Sequence, residues 1–167
     1  MPDIKAFYGT PADVVITLAG LASDANLLIG RQSAEVDNTV LRALDYLISG
    51  KITTGTSPTG GTIEVWAIAS FDNIGLYPDT VTNAGDLSRT LSTGPKPGFV
   101  RLVASIAPTT TSNVVYPFAP ISLASLFGSV VCPPRFVLFV THSSGVALNA
   151  TSTNHQIRIQ PIYETVG

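Results

Sequence analysis

At 167 residues the chain has the length of one ordinary domain, enough to bury roughly two-thirds of its unfolded surface around a single core. Only 12% of its residues are charged, about half the share usual in a soluble globular protein, and with a net charge of -2 and basic residues scattered singly it lacks the electrostatic footprint of a nucleic-acid binder. Its one cysteine, Cys132, excludes an internal disulfide and a thiolate metal cluster.

Residues 1–12 read as a short N-terminal arm of a single sandwich domain spanning 1–167. Within the arm, Phe7 and Tyr8 precede a Gly9-Thr10-Pro11 turn and are candidates to lie over a partner. The apolar run 14–22 superficially resembles a secretory signal, but Asp3 and Asp13 precede it with only Lys5 as positive charge, so a core strand is expected at 13–19. Further strands are expected at 26–35 and 40–53. In the latter, Leu41, Leu44 and Ile48 also recur near helical spacing and leave an amphipathic helix open. After a loop at 54–61 with Pro58 and Gly60-Gly61, residues 62–71 alternate with period two, which turns Ile63, Val65 and Ala67 to one face and Glu64 and Trp66 to the other. Trp66 is either an interface anchor or a side chain packed beneath a loop.

The stretch 72–96 reads as a long loop in which Tyr77, near Asp79, is the aromatic candidate for contact. Strands are expected at 98–107 and 113–118, then one or two helical turns at 122–127 closed by Gly128. Residues 136–142 contain Phe136-Val137-Leu138-Phe139-Val140, apolar on both faces, so this strand is central or is covered by a neighbouring subunit. Strands at 145–149 and 155–163 close the chain. In the last, Ile157 and Ile159 oppose Gln156, Arg158 and Gln160, and Pro161 suggests a sheet edge. Short strands joined by tight and long links predict an all-β fold, a jelly-roll-like antiparallel sandwich of about eight strands with little helix. No apolar run is long enough to cross a bilayer.

Catalytic signatures are missing from the sequence. Gly50-Lys51 is followed by Ile52 instead of a hydroxyl residue and lacks the preceding glycine of a phosphate loop. Thr141-His142-Ser143-Ser144-Gly145 sets a base beside hydroxyls without a nucleophile elbow. His142 and His155 could approach each other if their strands pair, yet no ligand spacing supports a metal. Asp72, Asp79 and Asp86, and the pair Glu35 and Asp37, would suit a glycosidase or calcium only if folding converged them. Asn149-Ala150-Thr151 matches a glycosylation acceptor, which matters only in a secretory pathway. The expectation is a protein without enzymatic activity, cofactor, metal or small-molecule substrate, and without membrane or nucleic-acid partners.

Four strings carry a resemblance: Glu35-Val36-Asp37-Asn38-Thr39, the run from Leu44 through Lys51-Ile52-Thr53-Thr54-Gly55 to Pro58, Tyr116-Pro117-Phe118-Ala119-Pro120 continuing to Gly128, and Phe139-Val140-Thr141-His142 continuing to Ala150. Together with the closing Ile162-Tyr163-Glu164-Thr165-Val166 they resemble a family of tailed-bacteriophage virion proteins, similar to capsid decoration or cement proteins. The resemblance implies docking on the outside of the major capsid protein shell, often as homotrimers, by a protein made in the cytoplasm of the host bacterium. No binding residue is fixed by it position by position, and the 72–96 stretch matches least. Low charge suits a surface covered by other subunits. The alternative is a receptor- or carbohydrate-binding module of a phage fibre or tail, because jelly rolls also bind sugars. A jelly-roll enzyme lacks converging histidine and carboxylate residues in the sequence.

Overall fold

The computed structural model describes residues 4–70, 72, 74–92 and 100–166. Among the described residues run β1 (Ile4–Tyr8), β2 (Ala12–Asp13), β3 (Ile29–Gln32), β4 (Val36–Asp37), the single turn α1 (Asn38–Leu41), β5 (Asp45–Thr53), β6 (Ile63–Ser70), β7 (Leu87–Thr90), β8 (Val100–Ile106), β9 (Val115–Ser122), the single turn α2 (Leu123–Leu126), β10 (Arg135–His142) and β11 (Gln156–Val166). Every pairing is antiparallel. One sheet is ordered β1-β11-β5-β9 with β2 also on β11, and the other β7-β3-β10-β6-β8 with β4 also on β10. Without the short β2, β4 and β7, eight strands remain. Numbered along the chain, they stand 1-8-3-6 in one sheet and 2-7-4-5 in the other, the strand order of a jelly roll.

Period-two alternation fills the space between the sheets. Tyr46, Ile48 and Ile52 from β5, Ile63, Val65 and Ala67 from β6, Phe136, Leu138 and Val140 from β10, and Ile157 and Ile159 from β11 share one core, with the Tyr46 and Phe136 rings 5.4 Å apart. The outer face of β10 is also buried. Val137 and Phe139 join Ile68, Tyr77, Val81, Leu91 and Val100 in a second core, with Trp66 and Leu28 packed against it. The roof over this face is the chain's own 74–92 segment, so β10 is apolar on both sides because it is central in its sheet and internally covered. Each fully buried Phe, Val or Leu contributes about 1.5–3 kcal/mol, which anchors the roof as firmly as a small core.

Several boundaries differ from the sequence expectation. Of 13–19 only Asp13 belongs to a strand. Val14 and Leu18 reach the core, but the backbone there crosses between sheets, Val14 N–H donating to the Ile157 carbonyl at 2.8 Å while the Val15 carbonyl accepts from Ala34 N–H at 2.9 Å. The expected strand 26–35 shortens to β3. In 40–53 the chain makes α1, stops at Arg42 in the left-handed conformation with φ 54°, and enters β5 only at Asp45. Residues 145–149 form no strand, because Gly145 turns the chain with φ 79°. The 72–96 loop holds β7, paired to β3, and β9 runs on to Ser122. Residues 71 and 98–99, part of two expected strands, and 73 and 93–96 of the loop lie outside the described residues. The helical turn expected at 122–127 forms as α2, capped by the Ser122 hydroxyl accepting from Ser125 N–H and followed by Gly128 with φ 65°.

The described part of the 1–12 arm is integrated into the sandwich, since β1 and β2 both pair with β11. Pro161 is likewise not at an edge, because β11 lies between β1 and β5. Its carbonyl accepts from Gly9 N–H at 2.8 Å, and the Gly9 carbonyl, which a proline N–H cannot serve, accepts from Gln160 Nε2 at 3.3 Å.

Candidate functional site

At the end of the sandwich where β5 and β10 begin and β6 finishes, one cation fastens three segments. Arg135, the first residue of β10, is paired with Glu35 and reaches Asp37 Oδ2 from Nη2 at 2.8 Å. Asp37 caps α1 by accepting from Thr39 N–H at 2.9 Å; its hydrogen bonds from Thr39 and the charge of Arg135 hold its carboxyl below the usual range against a smaller opposing effect of burial. Glu35 accepts from the Tyr77 hydroxyl at 2.9 Å, which ties the roof to the same centre. Burial, then the Glu35 carboxylate, pushes the Tyr77 phenol above its ordinary range.

Beneath this centre Asn38 is buried and bonds through both ends of its amide. Oδ1 accepts from Ala43 N–H at 2.8 Å and from the Tyr46 hydroxyl at 2.9 Å, while Nδ2 donates to the Ala43 carbonyl at 2.9 Å and to Cys132 Sγ at 3.0 Å. Its backbone N–H donates to the Pro134 carbonyl at 2.8 Å. The hub therefore fixes α1 against the 129–134 segment and both against the core.

With the charges drawn inward, aliphatic side chains crowd the rim. Val40 and Leu41 on α1, Ile74 and Leu76 in the roof, and Val130 and Val131 before β10 are 76%, 48%, 78%, 73%, 92% and 48% exposed. From the same end the ribbon of β1 and the last residues of β11 continues past Asp45, where β5 pairing ends at Ile162, and it carries Phe7 and Tyr8, 48% and 65% exposed. Eight of the thirteen exposed large apolar side chains among the described residues thus gather at one end. Exposed large apolar side chains concentrated at one end of a domain are candidates for an interaction site.

The four aromatics singled out by sequence separate here. Phe7 and Tyr8 are accessible, with Phe7 packed on Tyr163 at 5.4 Å between ring centroids. Trp66 is half-buried beside the second core, its indole N–H donating to Glu64 Oε2 at 2.8 Å. Tyr77 is buried beneath the roof and is not presented as a contact. Leu41 reads from the sequence as part of an amphipathic helix face, and the other five rim aliphatics escape sequence reasoning because short groups of Val, Leu and Ile set no period. The signal that remains is position: Val130-Val131 stands before Cys132-Pro133-Pro134, and Ile74 and Leu76 flank Gly75 just after Asp72.

The loop acids Asp72, Asp79 and Asp86 do not converge, and Glu35 and Asp37 meet on Arg135. Asp72 accepts from the N–H groups of Ile74, Gly75 and Leu76, Asp79 from Ser92 N–H and hydroxyl, and Asp86 from Arg31 and Thr17. The histidines lie in or beside different sheets, each with both ring nitrogens engaged. His142 contacts the Ser144 hydroxyl and the Leu21 carbonyl, each at 2.9 Å, and His155 contacts the Asn149 carbonyl at 2.8 Å and Thr53 N–H at 3.4 Å. Among the described residues no group of three His, Cys, Asp or Glu is placed to hold a metal, and no helix is long and apolar enough to cross a membrane. A cleft of about 310 Å³ lies between Asp13–Leu18 and His155–Ile157 with Lys51 beside it; its Asp13 is tied to Arg158 at 2.8 Å. Asn149, the glycosylation-like asparagine, holds its own loop by accepting from Thr151 N–H and donating to Asn113 Oδ1.

Comparison with protein-family models, with curated proteins and with solved structures returned no match to this chain.

Proposed function

We propose that this chain is a non-enzymatic structural protein of a bacteriophage virion, which decorates the outside of the capsid and stabilises it by binding the major capsid protein shell as a homo-oligomer. The observation that carries the reading is the apolar end: Val40, Leu41, Ile74, Leu76, Val130 and Val131 stand exposed around a centre whose charges are already paired. Such a surface gains by exchanging water for another protein's apolar surface, while Arg135, Glu35 and Asp37 keep one another as partners. Three separate segments present it, and each is pinned by Arg135, Asn38 or Glu35, so little ordering entropy is lost on docking. The likeness of the sequence to decoration proteins supplies the identity of the shell, and the low charge of the chain agrees with it.

The test is co-sedimentation of the purified protein with capsids stripped of their decoration and, separately, with unassembled capsid subunits. Retention on assembled shells and not on free subunits is expected. Placing carboxylates at the apolar end with Val130→Asp and Ile74→Asp should weaken retention about tenfold or more, since central apolar contacts each carry more than about 1 kcal/mol. Equal retention of the doubly substituted protein, or none of the original on stripped shells, would remove this reading.

A further inference from the structure

The four outer edges of the two sheets are not treated alike. Edge strands offer unpaired N–H and C=O groups to other chains, and soluble proteins block them with proline, charge, bulges or brevity. β9 carries Pro117 and Pro120. β7 has four residues, one of them Arg89. β8 is bulged opposite Val65 and Trp66 and turns Arg101 over the Phe127 ring at 5.7 Å. β1, Ile-Lys-Ala-Phe-Tyr, has no proline and a single charge.

Which of its groups are open follows from the ladder. Gly9 N–H donates to the Pro161 carbonyl, and Phe7 and Lys5 lie opposite Tyr163 and Thr165. Hydrogen-bonded pairs alternate along an antiparallel ladder, so Lys5, Phe7 and Gly9 bond inward to β11 while Ile4, Ala6 and Tyr8 turn their N–H and C=O outward.

We infer that β1 pairs antiparallel with β1 of a second copy about a two-fold axis at Ala6. In that register Ala6 meets Ala6 and Ile4 meets Tyr8, for about six inter-chain hydrogen bonds. The register is self-complementary in charge as well. Lys5 falls opposite the other copy's Phe7, extending the Phe7–Tyr163 aromatic row with a cation, and the two lysines never face each other. Glu164 stands on the opposite face, across from Ala6, two strands away from its symmetry mate's β1. The exposed parts of Phe7 and Tyr8 amount to roughly 100–150 Å² each, so the aromatics of two copies bury about 400–600 Å², well below the ~1,200 Å² of a standard stable interface. The pair is therefore weak in solution and gains from any surface that holds two copies close. This inference stands on the strand edge and needs no capsid. It gives a two-copy contact where the family resemblance implies three.

The test uses the full chain with Ala6→Cys or Tyr8→Cys and a short bismaleimide with a reach on the order of 8 Å, since the paired Cα atoms at position 6 lie about 5.5 Å apart and those at position 8 about 14 Å. Native Cys132 is buried and does not compete. The expected result is a covalent dimer forming at least about tenfold faster with Ala6→Cys than with Tyr8→Cys, with Ala6→Pro abolishing concentration-dependent dimerisation in sedimentation while the Phe7 amide, bonded to β11, stays protected from hydrogen exchange. If Ala6→Pro frays β1 and Phe7 protection is lost, the two cysteine rates decide. Equal cross-linking of the two cysteine variants, or a three-copy particle in which Ala6→Cys is not captured, would overturn the inference. Shell binding is read separately, so either conclusion can fail without the other.

Discussion

Replacing Asn38 by alanine tests a buried side chain that bonds to Ala43, Tyr46 and Cys132 at once. Asn38 is 7% exposed, and its Oδ1 is the acceptor for Ala43 N–H and the Tyr46 hydroxyl, at 2.8 and 2.9 Å. Removing it leaves two donors without that acceptor, and Tyr46 is fully buried. The Ala43 carbonyl keeps a contact from Cys132 Sγ at 3.3 Å and is not fully orphaned. At about 1–3 kcal/mol per stranded buried donor, Asn38→Ala should cost about 2–6 kcal/mol, a large share of the 5–15 kcal/mol that holds a typical domain together. Tyr46→Phe removes one of the two donors, so it should cost less, and the double variant should cost less than the sum because one partner is already gone. Urea unfolding followed by far-ultraviolet circular dichroism gives all three values. A loss under about 1 kcal/mol for Asn38→Ala, with unchanged urea dependence, would refute the reasoning, because it would mean that water or repacking satisfies both donors.

Two further outcomes follow from buried titrating groups. Burial, its largest cause, lowers the pKa of both His142 and His155, so the unfolded chain takes up these protons first as pH falls through about 6.5. The stability present above that pH is lost as acid is added, by up to about 1.4 kcal/mol per pH unit for each histidine. The melting temperature should therefore drop between pH about 7.5 and about 5.5 and drop less in His155→Gln; a flat or rising profile would contradict the assignment. This window is separate from that of Asp37, Asp72 and Asp86, whose lowered pKa values remove stability only below about pH 4. Burial, assisted by Asp45, pushes the Cys132 thiol up to about 12, so thiol reagents at pH about 8 should label the protein only after denaturant is added, and rapid labelling of the native chain would show the 129–134 segment to be open.

The all-β fold was legible because β6 and β11 obey period two, Ile63, Val65, Ile157 and Ile159 lying inside as their alternation requires, and because β10, apolar on both faces, reads as a central strand. Elements failed where bonding is not periodic. Val14 and Leu18 look like a strand because they are buried, yet they cross between sheets. Leu41, Leu44 and Ile48 mimic a helix face, yet the Asn38 amide binds Ala43 and ends the helix after one turn. β1 escaped because its partner lies more than 150 residues away along the chain, beyond any local pattern. Of the candidate contacts, Phe7 and Tyr8 were legible as exposed aromatics before a turn, Phe7 packing on Tyr163. Tyr77 was not, because nothing in the 72–96 composition distinguishes a roof anchored by Val81, Leu91 and Gln32 from a solvated loop. Part of the charge shortage that pointed toward neighbouring subunits is accounted for by this internal roof.

The roof also gives the protein a built-in optical reporter. Trp66 is the one tryptophan of the chain, and it sits against the second core and not in the space between the sheets. Indole emission therefore senses release of the 74–92 cover from the sheet, while far-ultraviolet circular dichroism senses loss of the strands themselves. A denaturant titration that separates the two would resolve peeling of the cover from global unfolding in the natural sequence, with no label introduced.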